Sequence, residues 1–135
     1  IETLLAKADI VKMNDEELAE ITSWYGAKKE LKEQMIFVAE KFDITTLIMT
    51  EGKHGAYCLH DKNLVFQKSF PVEVKDTVGS GDSFLAAFLY KMLKGADWQS
   101  GLEFACATGA LVATQSGGTP DINEKLVLNF INSYQ

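Results

Sequence analysis

Asp76-Thr77-Val78-Gly79-Ser80-Gly81-Asp82-Ser83-Phe84 is the stretch on which the fold turns. Gly79 and Gly81 flank a small residue, so the backbone there can turn tightly with no side chain in the way. An apolar pattern starts at once behind them. From Ser83, the residues Phe84, Leu85, Phe88, Leu89, Met92 and Leu93 trace one face of a helix that ends at Gly95. The first N–H groups of a helix lack partners within it, and with the helix dipole they favour an anion, so this loop predicts a phosphate-binding hole. It is neither GxxxxGK[ST] nor GxGxxG. Asp82 adds the chemistry, because a carboxylate beside phosphate is repelled unless it takes a proton, as a hydroxyl nucleophile requires in phosphoryl transfer. The plainer alternative is that Asp82 caps the helix.

On the C-terminal side, Asp97 can cap a second long helix in which Leu102, Phe104, Ala105 and Ala107 to Val112 are apolar almost all round, predicting burial on most sides. Gly117-Gly118-Thr119-Pro120 stops it. Asp121 or Asn123 then caps a last helix, with Leu126, Val127, Phe130 and Ile131 inward. On the N-terminal side, Ile10 to Met13 is a short strand, and Asn14-Asp15-Glu16-Glu17 suits the cap and first turn of a helix to about Trp24. After Gly26, Leu31, Met35, Val38, Ala39 and Phe42 predict a helix over about Lys28 to Lys41. Thr45 to Thr50 is a strand closed by the turn Glu51-Gly52-Lys53-His54-Gly55. Ala56 to His60 and Asn63 to Ser69 form a hairpin around Asp61-Lys62, and Val72 to Lys75 is a further extended piece. These elements predict an α/β fold with a mostly parallel sheet covered by helices, in one structural unit over residues 1–135.

Composition narrows the function. The 135 residues are 47% hydrophobic and 24% charged, which fits a folded domain and excludes a disordered or collagen-like chain. Thirteen Lys and Arg against nineteen Asp and Glu give a net charge of -6, so nucleic acid is repelled rather than attracted. Apolar runs stop far short of the roughly 18 residues that span a bilayer, and no basic n-region precedes an apolar h-region in this stretch, so a chain that neither spans nor leaves a membrane is expected. Cys58 and Cys106 lie in apolar sequence without metal-ligand spacing, predicting two reduced, buried thiols in a cytoplasmic protein. His54 and His60 read as surface residues of a turn and a strand.

The segment Asp76-Thr77-Val78-Gly79-Ser80-Gly81-Asp82 resembles the DTxGAGD signature of the ribokinase-like, or PfkB, carbohydrate kinases, with Ser80 where Ala is commoner. Other stretches agree in order. Ala8-Asp9-Ile10-Val11-Lys12-Met13-Asn14-Asp15-Glu16-Glu17 resembles the family's strand leading into N-x-x-E, with Met13 for a frequent Pro. Thr50-Glu51-Gly52-Lys53-His54-Gly55 resembles its T-x-G-x-x-G turn, and Ala113-Thr114-Gln115-Ser116-Gly117-Gly118 resembles the loop after its late helix. The wording DTVGSGDSF is most similar to fructokinase-like members.

The resemblance implies a ribokinase-like (Rossmann-like) three-layer α/β/α fold, of which this is the C-terminal part. It implies ATP-dependent phosphorylation of a sugar hydroxyl, fructose first, with ribose, 2-keto-3-deoxygluconate, a nucleoside or a sugar phosphate as alternatives. Asp82 would be the general base, and the N–H groups of Gly79, Ser80, Gly81 and Asp82 the anion hole. Thr50, Gly52 and Gly55 would line the nucleotide, with Ala105, Cys106 and Gly109 near the adenine, or Gly109 would permit close helix packing and Ala105 and Cys106 would be small core residues. Asn14 and Glu17 would hold the hydration shell of Mg2+; spacing alone fits a capping box as well. Asp76 with the carbonyls of Val78, Ala113, Ser116 and Gly118 would form a K+ site, or Asp76 would simply brace the loop. A noncatalytic nucleotide-binding or assembly module is the competing class. The chain opens Ile1-Glu2-Thr3 without an initiator Met, inside a helical pattern, so a preceding segment is expected. Since family members are about twice as long, an absent N-terminal half would supply most sugar contacts and dock on an exposed apolar edge or face. A homodimer through that surface is a further expectation.

Overall fold

The structure, a computed structural model, describes residues 9–26, 30–115 and 122–134. It contains two compact units, one of Ile1–Gly52 with Ala56–Phe66, the other of Lys53–Gly55 with Gln67–Gln135.

The first unit begins with β1 (Ile10–Asn14), α1 (Asp15–Trp24), α2 (Leu31–Lys41) and β2 (Thr46–Thr50). A short 3-10 turn at Gly52–His54 leads to β3 (Gly55–His60) and β4 (Asn63–Lys68). Strand order is β1-β2-β3-β4. β1 and β2 run parallel, Met13 opposite Met49 and Asn14 opposite Thr50, because two helices fill the crossover between them. β2 and β3 run antiparallel, Ile48 opposite Cys58. The expectation of a mostly parallel sheet is therefore corrected. Parallel neighbours need a crossover of about a dozen residues or more, and after β2 the connections are too short to provide one.

Thr46, Leu47, Ile48 and Met49 are all buried, as befits a strand covered on both faces. Leu47 and Met49 pack with Leu18 and Ile21 of α1 and with Met35 and Val38 of α2 in a single apolar cluster. The β3–β4 turn places Asp61 at φ 48° and Lys62 at φ 68°, the left-handed pair of a two-residue hairpin loop. Tyr57 and Phe66 stack across that hairpin with centroids 4.7 Å apart. His60 is more than a surface residue: its Nδ1 lies 2.9 Å from buried Thr46 Oγ1, and its Nε2 lies 3.1 Å from Asp61.

The second unit contains α3 (Ser80–Leu93), α4 (Trp98–Ala113) and α5 (Glu124–Asn132). Phe84, Ala87 and Phe88 of α3 are buried, as are Leu102, Phe104, Ala105 and Ala107 of α4, and Val127 and Ile131 of α5. Asp97 caps α4 through Ser100 N–H at 2.7 Å, and Asn123 caps α5 through Leu126 N–H at 2.9 Å. Asp121, the other candidate cap, lies outside the described residues.

Three expectations change here. Val72 to Lys75 is not a strand. α3 starts at Ser80 rather than Ser83, drawing the glycine loop into its first turn. Leu89, Leu93 and Leu126, expected inward, are exposed, because the apolar residues of α3 and α5 spread over a wider arc than the helices bury.

Candidate active site

In the second unit the loop before α3 is held by its own backbone. Asp76 Oδ1 accepts the N–H of Val78 at 2.9 Å, and the Thr77 carbonyl accepts from Ser80 N–H at 3.1 Å and Ser80 Oγ at 2.8 Å. Gly79 sits at φ 81°, in the left-handed region, as the residue before the helix. A side chain there would be strained, so glycine is required by the turn itself. The first helical bond runs from Ser83 N–H to the Gly79 carbonyl at 2.9 Å. The N–H groups of Gly79, Gly81 and Asp82 have no partner among the described residues. Ser80 N–H, by contrast, is already committed to Thr77.

Asp82 lies in the first turn of α3 and its side chain is exposed. It makes no capping bond: the residue at the cap position is Gly79, which has no side chain to offer. The capping alternative for Asp82 thus has no hydrogen bond behind it. A carboxylate open to solvent beside three unpartnered donors can take a proton from a hydroxyl placed against them.

Helix α4 supports this loop. The Ala113 carbonyl accepts the N–H groups of Lys75 at 2.8 Å and Asp76 at 3.2 Å, and a Cβ on Gly109 would lie 3.4 Å from the Ser80 carbonyl oxygen. Close helix packing is a reading the sequence allows for Gly109, whereas nothing in it signals the Ala113 contacts, since backbone carbonyls carry no side-chain signature. The Ala113 contacts also bear on the K+ site: both lone pairs of that carbonyl are engaged. Ser116 and Gly118, its other implied ligands, lie outside the described residues.

Ala105 is fully buried and Cys106 partly so. Both cysteines are free, and burial pushes the thiols of Cys58 and Cys106 up to about 12, with Glu103 adding to the effect at Cys106. Neither is an ionised nucleophile near neutral pH.

In the first unit, Asn14 and Glu17 form a complete capping box. Asn14 Oδ1 accepts Glu17 N–H and Glu17 Oε2 accepts Asn14 N–H, both at 2.8 Å. Asn14 faces Thr50 in the parallel register, so these two polar residues share the C-terminal ends of β1 and β2. Open α/β sheets bind ligands at that end of parallel strands. The sequence named both residues but gave no reason to pair them. Gly52 and Gly55 have φ of 50° and 133°, so the turn itself demands glycine at both. Among the described residues no group of three or more His, Cys, Asp or Glu side chains could hold a metal ion directly. Asn14 and Glu17 fit Mg2+ only through its water shell. No helix among the described residues is long and apolar enough to cross a membrane.

The first unit's mixed sheet with its crossover helices and the second unit's glycine loop opening a helix define an α/β class of fold. A solved ribokinase from Arabidopsis thaliana, described as complexed with ribose and ATP, superposes with a TM-score of 0.81 at 28% identity over 97% of this chain, which shows the ribokinase fold. The family model for pfkB family carbohydrate kinases matches residues 1–125, and the chain belongs to that family. Among its relatives, a 2-dehydro-3-deoxygalactonokinase from Haloferax volcanii is 28% identical over 93% of this chain. A probable fructokinase-5 from Arabidopsis thaliana is 30% identical over 89% of it. The chain spans 40% and 38% of those two relatives' lengths and 43% of the solved ribokinase chain.

Proposed function

We propose that the full-length protein transfers the γ-phosphoryl group of ATP to a hydroxyl of a sugar. Asp82 takes the hydroxyl proton as the new O–P bond forms. The bond from the γ-phosphorus to its bridging oxygen breaks, and ADP leaves with that electron pair. The N–H groups of Gly79, Gly81 and Asp82 face the charge that builds on the phosphoryl oxygens, while Ser80 N–H braces the loop. One observation carries this reading: an exposed, uncapping carboxylate in the same helical turn as unpartnered backbone donors. A noncatalytic nucleotide-binding module has no use for a carboxylate placed against phosphate.

Fructose is the first substrate to try, on the strength of the DTVGSGDSF wording and the fructokinase relative. The relatives' names span several sugars, so the panel includes ribose, 2-keto-3-deoxygluconate, a nucleoside and a sugar phosphate. Thr50, Gly52, Gly55 and Cys106 would line the nucleotide, while Gly109, close to the Ser80 carbonyl and Phe84, would serve the site through helix packing instead. Fully buried Ala105 would support Cys106 from the interior of its own unit. Asn14 and Glu17 would hold the waters of Mg2+. Asp76 and the Val78 carbonyl are the remaining described candidates for K+, tested by activation with potassium over sodium. Among the described residues β1 has β2 as its one neighbour in the sheet, and its other side is the edge on which an N-terminal half, or a second copy, would add a strand. A cytoplasmic location accords with two unpaired thiols.

The test is a coupled ADP-release assay on the full-length protein across that panel. Asp82→Asn should fold normally and lose about a hundredfold or more in turnover. Turnover equal to the parent protein would exclude Asp82 as the base.

A further inference from the structure

Helix α4 meets the loop at two points one turn apart on the same face. At the loop's entry, the Ala113 carbonyl takes the N–H groups of Lys75 and Asp76 at 2.8 and 3.2 Å. At its exit, a Cβ on Gly109 would lie 3.4 Å from the Ser80 carbonyl oxygen and 3.7 Å from Phe84 Cβ. Ser80 is the first residue of α3, and the open donors of Gly79, Gly81 and Asp82 flank it.

We propose that Gly109 and Ala113 are positioning residues, and that the last turns of α4 form a splint that sets the height of the residue 79–82 donors. The inference rests on the phosphoryl-transfer role of the loop. Gly109 is not among the glycines with positive φ, so its backbone does not require glycine. Mid-helix glycine is also disfavoured by helix propensity. What the position demands is closeness. A methyl group would just reach van der Waals contact with a backbone oxygen that cannot rotate away, so the further carbons of a branched side chain have no slack on that side. Gly101 on the same helix is different. Its added Cβ would meet Met92 Cε, the tip of a flexible side chain that can move. A wider residue at Gly109 must therefore push α4 from α3 or tilt the first turn of α3. Because Ala113 grips the loop's entry, either shift moves the donors relative to a bound phosphate.

The test is a series in the full-length protein, with ATP and the sugar found active in the panel. Gly109→Ala should keep kcat within about threefold, whereas Gly109→Val should lower kcat about ten- to a hundredfold with sugar KM unchanged, the penalty of a misplacement near 1 Å. Amide hydrogen exchange should rise across residues 77–83 in Gly109→Val while the strands β1 and β2 stay protected. Parent-like kcat and loop exchange in Gly109→Val would overturn the proposal. If that variant does not fold, Gly109→Ser decides by the same two readouts, with a smaller fall in kcat expected and no change overturning the idea. Asp82→Asn is run alongside. If it inactivates the protein while Gly109→Val does not, this inference alone fails; if it retains full turnover, the phosphoryl-transfer reading fails, and loop exchange still decides whether α4 holds the loop.

Discussion

Asn14 and Glu17 each hold the other's backbone N–H, so both side chains do a structural task whatever else they bind. Removing the Asn14 side chain should cost about 1 kcal/mol, as for other helix caps. Glu17→Gln separates the two roles, because glutamine serves at this cap position as well as glutamate yet carries no charge. In the full-length protein, the thermal midpoint of Glu17→Gln should barely move while the Mg2+ concentration for half-maximal activity rises. An unchanged requirement would leave the capping box as the whole role of this pair. Asp82 is the opposite case. It stands in the first turn of a helix without a capping bond, so the structure gives its side chain no cap to hold, and the base role proposed for it competes with none.

At the scale of elements, the β3–β4 hairpin and α3 show what local pattern controls. Two residues at φ 48° and 68° form the hairpin loop, yet neither is glycine or asparagine. A left-handed non-glycine residue is strained by roughly 1–2 kcal/mol, less the extra entropy glycine loses on folding. Lys62→Gly should therefore stabilise the protein by about 0.5–1 kcal/mol, read as a higher denaturation midpoint at unchanged slope. The exposed Lys62–Glu40 pair, at 3.8 Å, contributes too little to reverse this. In α3, Phe88 is fully buried and stacks on Trp98 with centroids 6.2 Å apart. Element types were readable because apolar spacing reports them directly. The start of α3 was misplaced by three residues because Ser80, Gly81 and Asp82 have no apolar periodicity and enter the helix through the Gly79 turn.

At the scale of the whole molecule, the chain spans about two fifths of the relatives it matches. Among the described residues the four strands form one sheet in which β2 is the neighbour of the first strand. The 135-residue chain expressed alone should give no sugar-dependent ADP release above background, whereas the full-length protein should. Robust phosphorylation by the 135-residue chain would show that the loop and its surroundings suffice for the site. Sheet direction was the main error at this scale. Alternation of helices and strands early in the chain suggested a mostly parallel sheet, but direction depends on the length of each connection.

Glycine spacing, apolar period and a charged residue at a loop's end are local signals, so the family and most of the elements are legible in the chain alone, the extended piece expected over Val72 to Lys75 excepted. Tertiary contacts set Asn14 beside Thr50, leave Asp82 without a capping bond, and bring the Ala113 carbonyl and the side-chain-free Gly109 of α4 against the loop. Those relations are made by strand register, backbone carbonyls and the absence of a side chain, none of which leaves a mark in a one-dimensional pattern.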